Sequence, residues 1–211
     1  MNKISVIMPS YLSEYAGAAT DRQNKFVRAV NSFLEQEYSD KELIIISDGC
    51  EITNAIVKNN FYESLNIKLI ELEKQPLFSG SVRETGLRAA TGEIICYVDS
   101  DDFIGEGHLQ AIVDGFKNNP ECTWVYMNDF IRYTNMVGMP LAERDVYLAK
   151  GVAGTSCIAH KNLPEISWTN CSGYGHDWTF IKSLMDKFPD YKKITGAKYV
   201  VCHLQNNSVD N

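Results

Sequence analysis

The chain has 211 residues, a formal net charge of −7 at pH 7, 45% apolar residues and 22% charged residues. That is the make-up of a soluble globular chain long enough to bury a sizeable core, and it excludes a disordered tail, a collagen-like fibre and a coiled coil. The acidic balance argues against non-specific nucleic-acid binding, while a nucleotide ligand stays open because a metal ion can carry the positive charge it needs.

Ser5–Met8 reads as a strand ending at Pro9, and Phe26, Val30, Phe33 and Leu34 then fall on one helical face. Leu43–Ser47 is a β-branched run closed by Asp48-Gly49, followed by a short helix around Asn54–Lys58 and a strand at Ile67–Leu72. Ser79–Ala90 has helical period and stops at Thr91-Gly92, and Ile94–Val98 is the next strand, delivering Asp99-Ser100-Asp101-Asp102 at its end. Beyond it the pattern predicts a helix at His108–Lys117, strands at Trp124–Tyr133 and Thr155–His160, a helix at Asp177–Phe188 and a strand at Lys198–Leu204. The least regular stretches are Leu12–Thr20, Asn135–Gly154 and the residues after Gln205.

Strands alternating with helices predict an α/β fold with a mostly parallel sheet flanked by helices, and ligands bind outside the carboxyl ends of such strands. Pro9-Ser10-Tyr11, Ser47-Asp48-Gly49 and Asp99 to Asp102 all stand at strand ends, so three strands present polar groups to one edge. The first apolar stretch is too short for a secretory signal, and the longest apolar runs are strand-sized. The expectation is a cytoplasmic protein without an integral membrane segment, with peripheral association to a membrane left open. The six cysteines stand singly and predict reduced, buried thiols; Cys157 with His160 is the nearest approach to a zinc pattern and lacks a partner pair.

Asp99-Ser100-Asp101-Asp102 packs three carboxylates into four residues. Like charges at that density need a cation or strong hydrogen bonding, and the oxygen donors suit Mn2+ or Mg2+; the alternative is a polar turn before the helix that begins near Gly107.

The order and spacing of five blocks resembles the family 2 glycosyltransferases of the GT-A fold. The blocks are Val6-Ile7-Met8-Pro9-Ser10-Tyr11, the run from Gln36 to Leu43, Ser47-Asp48-Gly49, the stretch from Gly80 to Gly92 with Arg83 and Gly86, and Asp99-Ser100-Asp101-Asp102. The resemblance covers residues 3 to about 115 closely and the remainder loosely. It implies one GT-A domain over residues 1–211, with a nucleotide-sugar-binding half at 1–115 and an acceptor-binding half at 116–211.

The resemblance also implies roles. Pro9 and Tyr11 would line the base pocket, Asp48 would accept a hydrogen bond from a uracil, and Arg83 would meet a carbonyl or phosphate of the donor. Asp99 would hold the ribose, and Asp101 the metal bridging the two phosphates, with Ser100 between them in the donor site. Gly173-Tyr174-Gly175-His176-Asp177-Trp178 is similar to the family's acidic acceptor-site motif, which implies Asp177 as the base that takes the acceptor hydroxyl's proton. His176 stands where a second acid often is, and it would orient the acceptor or cap the helix. His203 is a candidate second metal ligand, and Trp178 a candidate stacking surface for the acceptor, with Trp124 and Trp168 as other stacking or core residues.

Two features depart from the family pattern. Ser47 replaces a common second acid, and Leu12–Thr20 is longer than the usual connection after the first strand. The implied activity is inverting, metal-dependent transfer of a single sugar from a nucleotide-diphospho-sugar, UDP-linked, to a hydroxyl of a glycan or lipid-linked saccharide. The alternative from another class is a non-catalytic nucleotide-sugar-binding protein.

Overall fold

A computed structural model describes residues 2–15, 18–133 and 141–203, together with the backbone but not the side chains of Tyr133 and His203. The elements in chain order are β1 (Ile4–Ser10), α1 (Arg22–Leu34), β2 (Lys41–Asp48), α2 (Glu51–Asn60), β3 (Ile67–Leu72), α3 (Gly80–Ala89) and β4 (Ile94–Tyr97). They continue with β5 (Phe103–Ile104), α4 (His108–Asn118), β6 (Trp124–Tyr133), β7 (Ala142–Arg144), β8 (Ile158–Lys161), α5 (His176–Lys187) and β9 (Tyr191–His203).

One mixed sheet runs in the order β3-β2-β1-β4-β8-β6-β9-β5, with β7 paired to β6. The first four strands are parallel, β8 joins β4 and β6 antiparallel, and β6 and β9 are again parallel. The chain steps from β1 to β2 to β3 on one side and returns to place β4 on the other side of β1. That reversal opens a crevice at the carboxyl ends of β1 and β4, the place where such sheets bind ligands.

The parallel strands are apolar on both faces, as a sheet covered on both sides requires. Along β1, Val6 and Met8 pack with Phe26, Phe33 and Ile112 of α1 and α4, whereas Ile7 packs on the opposite face with Val82, Leu87 and Phe180 of α3 and α5. Alternate residues of β2 and β4 divide the same way. β1 runs through Pro9 to Ser10 instead of stopping at the proline. Pro9 is in register with Ile46 of β2, but like Ile7, whose carbonyl accepts from the Val98 N–H, its backbone faces the β4 side, where pairing ends at Ile7, so the missing N–H breaks no ladder bond.

Thr155–Cys157 forms a turn of 3₁₀ helix where a strand is expected, because the Cys157 N–H returns to the Gly154 carbonyl and strand pairing begins only at Ile158. β9 starts at Tyr191, seven residues before the expected strand, and pairs along β6 through a bulge at Met127/Asp129. β5 and β7 are further strands, too short to be seen as a period in the sequence. No helix among the described residues is long and apolar enough to cross a membrane. All six cysteines are free and buried; Cys157 contacts Asp129 and His160 contacts Tyr97.

Candidate active site

The ends of β1, β2 and β4 open onto a cleft of about 290 Å³, and α3 and α5 contribute Arg83, His176 and Asp177 to its far wall. At one end Asp48 is buried and held from two sides: Lys74 Nζ donates to Oδ2 at 2.6 Å and the Gln75 N–H to Oδ1 at 2.6 Å. The same Lys74 ammonium stands 4.5 Å from the centre of the Tyr11 ring, a cation–π contact. Ser47, next to Asp48, is wholly buried and donates to the Cys50 carbonyl, so it takes no part in lining the cleft.

The Asp99–Asp102 segment splits by role. Asp99, Ser100 and Asp101 line the cleft, whereas Asp102 is buried beneath it. Asp102 accepts from the Tyr199 hydroxyl at 2.9 Å and from the Cys202 N–H at 2.8 Å, and Tyr199 in turn accepts from the Asp99 N–H at 2.9 Å. Burial, with Asp101 and Asp99 adding to it, pushes the Asp102 carboxyl well above the usual range. On the outer side Arg28 donates to the Asp101 carbonyl at 2.6 Å. The loop is thus fixed by α1 and β9, leaving the Asp101 carboxylate at the cleft.

Arg83 ties the two sides of the cleft together. Its guanidinium is buried, donates to Asp99 Oδ1 at 2.7 Å, lies 2.9 Å from His176 Nε2 and stands over the Trp168 ring at 5.3 Å. Burial alone would lower its pKa, but Asp99 and Asp177 outweigh that and raise it, so the group stays charged. Asp99 is raised by burial, with Arg83 pulling against it and Asp177 and Asp101 adding to it.

His176 Nε2 is also 2.9 Å from Asp177 Oδ1, so this one nitrogen faces a donor and a carboxylate together. It serves the arginine as an acceptor or the carboxylate as a donor, not both, and its Nδ1 is buried without a hydrogen-bond partner. For Asp177 burial acts upward, yet His176 and Arg83 prevail and leave its pKa below the ordinary value. The first turn of α5 therefore presents an ionised carboxylate across the cleft from Asp101.

Residues 5–145 match the family described as glycosyl transferase family 2. The chain belongs to glycosyl transferase family 2. Relatives within it include an uncharacterised glycosyltransferase of Nostoc sp., 32% identical over 56% of this chain and 34% of that one. Another is the poly(ribitol-phosphate) beta-N-acetylglucosaminyltransferase TarS of Staphylococcus aureus, 30% identical over 52% of this chain and 18% of that one. The match thus spans about a third or less of these relatives' length. The fold agrees with that of TarS residues 1–349 in complex with UDP-GlcNAc, at TM-score 0.72 and 17% identity over 97% of this chain and 60% of that one. It agrees also with a mannosyltransferase from Pyrobaculum calidifontis in complex with GDP-Man and Mn2+, at TM-score 0.67 and 17% identity over 98% of this chain and 58% of that one. The GT-A fold expected from the sequence is the fold observed.

Among the residues singled out for a family 2 site, Pro9, Tyr11, Asp48, Arg83, Asp99, Ser100, Asp101, His176 and Asp177 surround the one cleft. Trp178 lies outside it and lines a neighbouring cavity, while Trp124 and Trp168 are buried in the core and offer no stacking surface. His176 does not cap α5: the cap is Gly175, with no side-chain capping bond, and the ring turns to Arg83. The His203 side chain lies outside the described residues.

Among the described residues no three histidine, cysteine or carboxylate side chains converge as a metal cage. The donor set still fits Mn2+ or Mg2+, which bind through one or two carboxylates and complete their shell with substrate phosphates and water. The lining acids Asp48, Asp99, Asp101 and Asp177 also outnumber Arg22, Lys74 and Arg83, a charge balance that a divalent cation would complement. Lys74, Tyr199 and Phe78 escaped the sequence reading. Lys74 alone had a signal, standing just past the carboxyl end of β3.

Proposed function

We propose that the protein is an inverting, metal-dependent glycosyltransferase that moves a single sugar from a nucleotide-diphospho-sugar, UDP-linked, to a hydroxyl of a glycan or lipid-linked saccharide in surface polysaccharide synthesis. The observation that carries this reading is the meeting of the Asp99–Asp101 loop and the α5 carboxylate at one cleft, joined by Arg83, which bonds Asp99 and touches His176. Family membership and the nucleotide-sugar complexes of proteins with the same fold support it.

In this reading Pro9, Tyr11 and Asp48 receive the base, with Lys74 between the aromatic ring and the carboxylate. Asp48 keeps acceptor capacity beyond its two present partners, since a carboxylate offers about four lone-pair sites. Asp99 takes the ribose and Arg83 holds Asp99 in place. Asp101 would hold Mn2+ or Mg2+, which when bound offsets the charge of the departing diphosphate. Asp177 takes the proton of the acceptor hydroxyl as that oxygen forms its bond to the anomeric carbon. The bond from that carbon to the diphosphate oxygen breaks on the opposite face, and its electron pair leaves with the nucleotide, inverting the configuration. A lowered pKa keeps Asp177 ionised at neutral pH, as this role needs.

Calorimetric titration of UDP with and without Mn2+, on wild type and on Asp101→Ala, tests the donor site. Binding that requires both the ion and Asp101 is expected; metal-independent binding, or none, overturns it. UDP release from UDP-GlcNAc, the donor named in the TarS complex, then separates an enzyme from a non-catalytic binder. Asp177→Asn should lower that turnover by about 100-fold or more.

A further inference from the structure

Phe78 is one of two non-glycine residues with a positive φ among the described residues, at 56°. A bulky aromatic there is costly, and such strain persists only where surrounding structure enforces it. The enforcement is visible. The Phe78 carbonyl accepts from the Gly173 N–H at 3.0 Å, Ser79 bridges Ser172, and the Gly80 N–H donates to the Cys171 carbonyl at 2.8 Å. These bonds lace the segment before α3 to the segment before α5.

The strain does not serve the core. Phe78 is 49% exposed, and its ring meets Tyr174 edge-on at 5.9 Å and 90° and leans on His176 at 6.1 Å. Tyr174 is 92% exposed. Phe78, His176 and Asp177 together line both the donor cleft and a second, largely apolar hollow of about 280 Å³ that also takes in Tyr174, Ala153 and Trp178. The partition between the two spaces is therefore the Phe78 ring, His176 and the proposed base.

We propose that Phe78 and Tyr174 form the surface on which the acceptor's saccharide ring stacks, and that Phe78 divides the acceptor space from the donor while directing an acceptor hydroxyl toward Asp177. The flat C–H face of a sugar ring suits an aromatic face, and the hollow is continuous with the base that would act on that sugar. The inference rests on the glycosyltransferase reading, whose donor half has its own test.

Saturation-transfer NMR with the methyl glycosides of glucose, galactose, mannose and N-acetylglucosamine, recorded with UDP and Mn2+ present, examines the surface directly. Wild type should saturate the ring protons of at least one glycoside. The signal should fall by about five-fold in Phe78→Gly and Tyr174→Ala and return in Phe78→Tyr. Glycine accepts the left-handed backbone without strain, so Phe78→Gly removes the ring and leaves the turn, which an unchanged thermal midpoint would verify. No glycoside signal from a wild type that binds UDP, or a signal that survives Phe78→Gly, overturns the stacking surface. A wild type that binds glycosides in this ring-dependent way but no UDP instead overturns the donor reading and keeps the surface.

Discussion

The Tyr199 hydroxyl accepts the Asp99 N–H and donates to the buried Asp102 carboxyl, so a side chain 100 positions downstream fixes the backbone of the Asp99–Asp102 loop. Tyr199→Phe keeps the ring but takes one partner from the buried Asp102 carboxyl, which retains only the Cys202 N–H, and removes the acceptor of the Asp99 N–H, which should cost about 1–3 kcal/mol in chemical denaturation. It should also weaken UDP binding with Mn2+ in calorimetry; a variant as stable as wild type would show that water replaces the hydroxyl. This joint was invisible in the sequence because a tyrosine in an apolar strand reads as core, which Tyr199 also is. Arg83 shows the same limit. Helical period alone makes it a solvated face, and nothing local reveals that Trp168 and His176 close over it from far along the chain. The carboxylates Asp48, Asp99, Asp101 and Asp177 were legible because their strand and helix ends were.

Between elements, α3 is set against the segment leading to α5 at Gly80. A Cβ there would meet the carbonyl oxygens of Cys171 and Trp168, the latter at 2.7 Å, and backbone atoms cannot turn aside as a side chain can. Gly80→Ala should therefore destabilise the protein by about 1–3 kcal/mol in denaturant unfolding and displace Arg83 from His176, seen as lost UDP binding. A neutral outcome would mean that the two segments move apart freely. Elements with a sustained apolar pattern were readable: β3 and β6 have the expected bounds, and the helices differ by a few residues at their ends. The first half of β9 was not, because Tyr191-Lys192-Lys193-Ile194 pairs beside β6 with partly exposed polar side chains, and Lys193 finds its partners in Asp145 and Val146. Two- and three-residue strands such as β5 and β7 carry no period to detect.

Across the molecule, each face of the sheet covers a buried histidine held neutral. His108 accepts the Lys198 N–H at Nδ1, and burial lowers its pKa to about 3. His160 lies 2.7 Å from the Tyr97 hydroxyl and 2.8 Å from the Lys161 carbonyl, and burial lowers its pKa to about 4. The unfolded chain binds protons at these sites from pH 6.5 downward while the folded chain does not, so stability is complete above that pH and falls as pH drops toward 4. Urea unfolding at pH 7 and pH 4.5 should differ by about 2–3 kcal/mol per histidine. Glu42, lowered to about 2 chiefly by hydrogen bonds from Ser5 and Thr91 that overcome its burial, extends the loss from pH 4.5 downward. A flat profile over pH 7 to 4.5 would show that neither ring is sealed from water.

The Asp99–Tyr199–Asp102 joint also orders events during synthesis. A ribosome releases β1 to β4 and their acidic loop well before Tyr199, and among the described residues β5 pairs with β9 alone. The emerging chain therefore carries the Asp99–Asp102 loop held by Arg28 and Arg83, without its β9 joint, until residue 199 has left the exit tunnel and docked. Any product cut short before that point lacks the clasp that ties the Asp99 backbone and the Asp102 carboxyl to β9.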